Sequence, residues 1–276
     1  MIRRPAVAGR FYPGNPDELL NSIREFVEPN SSKLAAIGAV IPHAGYMYSG
    51  RVAGAVYSRI VVPSRTIVLC PNHTGLGPPL SIMATGAWQT PLGQVTIDQD
   101  LAAALLQANP QLQDDVSAHK LEHAIEVQLP FLQHSAGAGL RFVPITVGTS
   151  NWSHLESLGK TLARVIRKVD PTALIIASSD MNHYEPDDRT RIKDRVAIDF
   201  LLNLNPRGLF DVIQRERISM CGFGPATSML IAAKELGATQ ASLVRYATSD
   251  DVSGDFSHVV GYAGIAVYAG NSVSGV

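Results

Sequence analysis

Cysteine is scarce in this 276-residue chain, which contains only Cys70 and Cys221. The two form no Cys-x-x-Cys pair and no disulfide framework, so a reducing, cytoplasmic setting with two free thiols is expected. Charge is also thin, at 17% of residues with a formal net charge of −1. No lysine- and arginine-rich stretch could track a phosphate backbone, which argues against nucleic acid as a partner. No apolar run reaches the ~18 residues of a spanning helix, and Pro5 and Pro13 fall where a signal peptide would carry its apolar core. No membrane role is therefore expected. Internal repeats and low-complexity linkers are missing as well. Apolar material, by contrast, is plentiful at 46%, enough for a large core and incompatible with a disordered chain. The length exceeds the usual ~100–200 residues per domain but suits an α/β fold filled as one unit, so a single domain over residues 1–276 is expected.

Along the chain, short β-branched runs alternate with helical periods. Leu34 to Ile41 and Thr66 to Cys70 read as strands flanking a helix from Gly50 to Ile60, a βαβ signature. A strand, a turn and a second strand lie between Pro78 and Ile97. Asp98 to Ala108 then reads as a helix with Asp98 near its cap. From His119 to His134 the apolar spacing predicts a well-buried helix that Pro130 must distort or end. Arg141 to Val147 and Ala173 to Ala177 read as strands, and Ser153 to Val169, Asp187 to Leu202 and Gly224 to Leu236 as helices. Ser242 to Thr248 and Val259 to Tyr268 close the chain as two strands. The pattern predicts an α/β fold with a largely parallel central sheet flanked by helices.

Three segments carry a histidine just where an apolar run gives out: Pro42-His43-Ala44-Gly45-Tyr46, Pro71-Asn72-His73-Thr74-Gly75 and Ser178-Ser179-Asp180-Met181-Asn182-His183. In an open parallel sheet the loops after the strands gather at one edge, so these residues are expected to share a crevice. His43 and His73 follow successive strands of one βαβ unit and form a candidate ligand pair, each with a nearby glycine for a sharp turn. Neutral imidazole is a common ligand for iron, copper and zinc, and two imidazoles need a third donor. Cys221, in a glycine-flanked loop before a helix, is one candidate; a helix amino terminus and a cation would lower its thiol pKa, whereas the bland alternative is an inert loop thiol. Asp180 and His183 suit a carboxylate that orients an imidazole or a pair that handles a proton, and Asp180 alone suits a cap. Glu122 and Glu126 share one face of the predicted helix and read as solvated charges, while His119 and His123 give only a weak zinc spacing. Cys70 reads as a packing residue. The loop from Ser249 to His258 is either a surface turn or a lid.

The segment Arg4 to Pro13, Pro42 to Tyr46, Glu122-His123-Ala124-Ile125-Glu126-Val127-Gln128-Leu129-Pro130, Ser178-Ser179-Asp180 with His183, and Cys221-Gly222 occur in order over almost the whole chain. Together they resemble the Memo family, named for a mediator of receptor-driven cell motility. The resemblance implies a fold similar to the class III extradiol dioxygenases, with a mixed sheet between helical layers. It implies His43, His73 and Cys221 as metal ligands, Asp180 and His183 as neighbouring site residues, and association with a radical S-adenosylmethionine protein and a small AMMECR-type companion. Those dioxygenases use two histidines and a carboxylate, whereas the matching third donor here is Cys221, whose soft sulfur favours copper(I), zinc or a differently poised iron. The expected activity is thus an iron- or copper-dependent oxidoreductase, with His183 and Asp180 as its catalytic residues. Two alternatives are a peptide- or protein-binding module using Tyr46, Tyr48 and Phe223, and a zinc hydrolase with Glu126 or Asp180 as base.

Overall fold

The structure is a computed structural model that describes residues 1–28, 31–136 and 139–273. Its centre is a parallel run of five strands in the spatial order Gly93–Ile97, Arg141–Val147, Arg65–Pro71, Leu174–Ser178 and Leu34–Ile41. The last four are continuous apolar stretches, as expected of strands covered on both faces, whereas Gly93–Ile97 alternates between buried and exposed residues. Alternate residues serve opposite layers. Ile67, Leu69, Ile175 and Ala177 join the core beneath the helices Gln99–Ala108, Trp152–Val169, Asp187–Leu202, Pro206–Arg215 and Phe223–Glu235. Val68, Cys70, Leu174 and Ile176 join the core beneath Pro16–Phe26, Tyr46–Arg59 and Leu129–Ala136.

Antiparallel pairings make the sheet mixed. Beyond Leu34–Ile41 it continues through the long strand Val259–Val273 to His183–Glu185 on one path and to Gln240–Thr248 on another. At the far edge Ile2–Arg3 pairs in parallel with Ala87–Thr90, which pairs antiparallel with Gly93–Ile97. The α/β architecture with a largely parallel central sheet flanked by helices is therefore as the sequence pattern predicts. No helix among the described residues is long and apolar enough to cross a membrane.

Two features were not foreseen. The amino-terminal helix Pro16–Phe26 is capped by the Asn15 side chain, which accepts the N–H groups of Asp17 and Glu18. More consequentially, the helix expected from His119 to His134 is broken. Ser117–Lys120 makes a single turn, residues 121–125 are irregular, Glu126–Gln128 is a 3-10 turn, and a regular helix runs only from Leu129 to Ala136. Pro130 stands in that helix's first turn, where its missing N–H has no intrahelical partner to lose. The irregular stretch follows from Glu122 and Glu126, which turn inward to buried partners instead of outward to water.

Candidate metal centre

The parallel strands place the site by a common offset. His43, His73 and Asp180 each lie two residues past the ends of Leu34–Ile41, Arg65–Pro71 and Leu174–Ser178. Because Ile41 pairs with Ser178 and Leu69 with Ala177, the three ends lie side by side at the carboxyl edge of the sheet. Gly75 adopts a left-handed φ of +67°, as its turn requires, whereas Gly45 is extended and caps the helix Tyr46–Arg59.

His123 joins this edge from the irregular stretch. The rings of His43 and His73 lie 5.2 Å apart between centroids, those of His43 and His123 5.5 Å, and those of His73 and His123 stack at 4.7 Å. One ring nitrogen from each of His43, His73 and His123 lies within 4.8 Å of the other two. Sequence periodicity had put His123 on a helix face apart from Glu122 and Glu126, with only a weak zinc spacing to His119; five ionisable residues within 119–126 of a chain so poor in charge were the signal that could have exposed it.

Hydrogen bonds fix which nitrogens are free. Ser178 Oγ donates its single proton to the carbonyl of Ala124 at 2.7 Å and accepts from Gln128 Nε2 at 2.9 Å. Its 3.0 Å contact with His43 Nδ1 must then have the ring donating, which leaves His43 Nε2 as a bare lone pair. His73 Nδ1 likewise donates to Glu122 Oε1 at 2.9 Å, so its Nε2 is also open. His123 Nδ1 turns toward the same oxygen at 3.4 Å. Burial, aided by the neighbouring imidazoles, holds His43 well below the usual histidine range. For His73 burial pulls the same way, but the hydrogen bond and charge of Glu122 outweigh it and the net shift is upward. His123 is lowered, mainly by burial. His43 and His123 are thus held toward the neutral form, and an imidazole with an oxygen partner on one nitrogen and the other nitrogen open is the arrangement in which histidine binds metals.

Neither glutamate is solvated; both are fully buried. Glu122 accepts the backbone N–H groups of His73 and Ala124 as well as the His73 ring. Burial would raise its carboxyl, but the bonds and charge of His73 prevail and bring it down to about 2. Glu126 accepts four hydrogen bonds, from Arg3 Nη1, the backbone N–H groups of Ala6 and Val7, and the Tyr12 hydroxyl. With both oxygens doubly engaged it has no lone pair left for a general base, and that candidate role is withdrawn.

Asp180 Oδ1 accepts the backbone N–H of His43 at 2.8 Å and that of Ala44 at 3.3 Å, so the carboxylate positions the His43 loop and not the His183 ring. Burial raises its pKa against those bonds. His183 Nδ1 donates to the carbonyl of Ser219 at 3.0 Å, which turns Nε2 to the crevice. Cys221 Sγ lies 3.3 Å from His43 Nε2 and accepts the N–H of Asp180 at 3.3 Å. The thiol is therefore not an isolated loop residue: it stands beside His43, although it is not one of the three residues whose donor atoms all lie within 4.8 Å of one another. Its pKa is raised, by burial first and the charge of Asp180 second, so the helix amino terminus without a cation does not lower it. Gly222 permits this placement, since a Cβ there would sit 2.4 Å from the carbonyl oxygen of Ser178.

These groups open on a cavity of about 570 Å³ walled on its apolar side by Phe11, Val260 and Tyr262, with Tyr184 at the rim. Tyr184 is 72% exposed and holds a left-handed φ of 59°. The three aromatic candidates do not line it: Tyr46 is buried with its hydroxyl on the carbonyl of Val127, Tyr48 is exposed beside a neighbouring hollow, and Phe223 packs against the core. Residues 251–258 form an exposed turn that contributes nothing to the cavity wall, and Cys70 is buried in the core.

Three imidazoles and a neighbouring thiol, with no lysine or arginine lining the cavity, make a donor set that suits copper, iron or zinc. Residues 3–266 match the family model described as Memo-like protein. A MEMO1 family protein from Methanopyrus kandleri is 42% identical over 283 residues, covering 98% of this chain and 100% of that one. Another from Pyrobaculum aerophilum is 42% identical over 279 residues, covering 97% and 99%. Among solved structures, an uncharacterized protein from Escherichia coli K12 is similar with a TM-score of 0.56 at 13% identity, covering 83% of this chain and 98% of that one, a likeness of fold alone.

Proposed function

The chain belongs to the Memo-like family, and from that premise we propose that its crevice holds iron or copper and that the protein is a metal-dependent oxidoreductase. The observation that supports this reading is the meeting of His43, His73 and His123 from three separate loops with their ring nitrogens within 4.8 Å. The sulfur of Cys221, beside His43 Nε2, is the proposed further donor, alongside the pair His43 and His73. A redox metal held there supplies one-electron exchange and Lewis acidity.

The residues around it divide the remaining work. Ser178 and Glu122 keep His43 and His73 in one tautomer, so no proton need be lost from the coordinating nitrogen. Asp180 holds the His43 backbone. His183, with Nδ1 tied to Ser219, offers Nε2 to accept or return a proton in the cavity. Phe11, Val260 and Tyr262 restrict water on the opposite wall. Association with a radical S-adenosylmethionine protein and an AMMECR-type companion belongs to the same proposal and is tested by co-purification.

The test is elemental analysis of protein purified without chelators, followed by oxygen-uptake assays with a reductant. Stoichiometric iron or copper that is lost in His43→Ala and His123→Ala supports the reading. Full metal content in His43→Ala contradicts it. Zinc alone, with ester or amide hydrolysis, would favour the hydrolase alternative, and retained metal without turnover would favour a binding module.

A further inference from the structure

Arg3 lies at the opposite end of the sequence from most of the site, yet it is buried and spends its side chain on one stretch. Its Nε donates to the carbonyl of His119, its Nη2 to the carbonyl of Glu122 and its Nη1 to the carboxylate of Glu126, each at 2.7 Å. The guanidinium lies 3.9 Å from the Trp88 ring centroid, and the backbone of Ile2–Arg3 pairs with Ala87–Thr90. The arginine is thus clamped from behind by the sheet while its fork spans the segment 119–126.

Unlike His43, His73 and Asp180, which directly follow strands of the sheet, that segment has no strand to hold it. It carries His123 and Glu122, and its residues 121–125 belong to no helix or strand. Carbonyls in such a stretch have no ladder partners and must be satisfied by other groups when buried. The amino-terminal strand and loop meet that need. Besides the three bonds of Arg3, the N–H groups of Ala6 and Val7 and the Tyr12 hydroxyl engage Glu126, and the Phe11 ring packs edge-on against His123 at 4.8 Å.

From this we infer that residues 3–12 are a strap that builds the metal site, with Arg3 the positioning residue that sets where His123 and Glu122 stand. The inference rests on the proposal that the imidazole cluster binds metal. Its chemistry is specific to arginine: three acceptors at different places are reached by one planar fork, and the ammonium of lysine cannot span them. A mutation more than a hundred residues from His123 in sequence should therefore act on metal affinity, and not through stability alone.

The experiment compares Arg3→Lys and Arg3→Met with Asn15→Ala, which removes the helix cap nearby without touching the segment 119–126. Cobalt(II) is the probe, its affinity measured by chelator competition and its donors by visible absorption. The Arg3 variants are expected to bind cobalt about 10–100-fold more weakly, as removal of groups supporting metal ligands does, with a changed spectrum, while Asn15→Ala keeps the wild-type values. A folded Arg3→Met protein with wild-type affinity and spectrum overturns the inference. A second readout uses no metal: long-range proton–nitrogen spectra of the His73 and His123 rings, in which the Arg3 variants are expected to shift or broaden His123. Unchanged ring resonances overturn the inference even if the wild-type protein fails to take up cobalt, a result that by itself contradicts only the metal reading. Should the Arg3 variants not fold, Tyr12→Phe removes one of the four bonds to Glu126 and is expected to cause a smaller loss of the same kind; no loss counts against the strap.

Discussion

Glu122 grips His73 twice, accepting its backbone N–H at 2.7 Å and its ring Nδ1–H at 2.9 Å. One carboxylate thereby fixes both the path of the loop after Arg65–Pro71 and the tautomer of the imidazole that the loop presents. It also faces His123, so two of the three imidazoles share it.

Replacing that carboxylate while keeping its shape isolates this role. Glu122→Gln retains the volume of a fully buried side chain but can no longer accept at both oxygens. Metal affinity, measured by chelator competition, is expected to fall about 10–100-fold. An unchanged affinity would mean that His73 is not a ligand.

The tautomer of His43 depends on Ser178 in a comparable way. Ser178→Ala removes the acceptor for Nδ1–H and also frees Gln128 Nε2 and the Ala124 carbonyl of a partner. Nitrogen spectra of the His43 ring are expected to show a mixture of tautomers where the wild type shows one. The lost hydrogen bonds should lower stability by about 1–3 kcal/mol, read from denaturant melts.

Gly222 is predicted to tolerate no side chain. In Gly222→Ala the new Cβ meets backbone and side chain at 2.4 Å, from the Ser178 carbonyl oxygen and the Ser179 Cβ. Backbone has to move to relieve it, at a cost of about 1–3 kcal/mol, and Cys221 moves with it. Thermal melts and metal content should both fall. A stable variant with full metal would show that Cys221 can leave its place beside His43 without consequence.

A pH dependence arises away from the metal ligands, at Asp194. This fully buried carboxyl accepts the N–H of Asn182 and the hydroxyl of Tyr246, but burial dominates and raises it to about 7. The folded chain keeps this proton while the unfolded chain releases it near pH 3.8. Stability is therefore full below that pH and declines as pH rises toward 7, by on the order of 4 kcal/mol for this group. Asp194→Asn, which carries no proton to lose, is expected to flatten the decline in denaturant melts run from pH 4 to 8. A decline of unchanged depth in the variant would place its origin elsewhere.

The strand-end histidines were legible from sequence because parallel strands announce themselves as short apolar runs, and the loops that follow them must converge. His43, His73 and Asp180 needed no more than that. His123, Glu122 and Glu126 were misplaced because their spacing is that of a helix, and the groups that override the helix come from far away in the chain: Arg3, Tyr12 and His73. A periodicity argument sees only neighbours in sequence, so a buried carboxylate satisfied from more than a hundred residues away reads as a solvated one. The thiol of Cys221 was correctly located near a helix start; without a cation the cost of burying a charge beside Asp180 outweighs helix polarity there and raises its pKa.

The most direct test is diffraction from metal-reconstituted crystals at wavelengths on either side of the iron and copper absorption edges. The account predicts one anomalous peak bonded to nitrogens of His43, His73 and His123 and within reach of Cys221 Sγ, with an edge that identifies iron or copper. Metal bound stoichiometrically at any other place, with these three imidazoles still bonded only to Ser178 and Glu122, would contradict it.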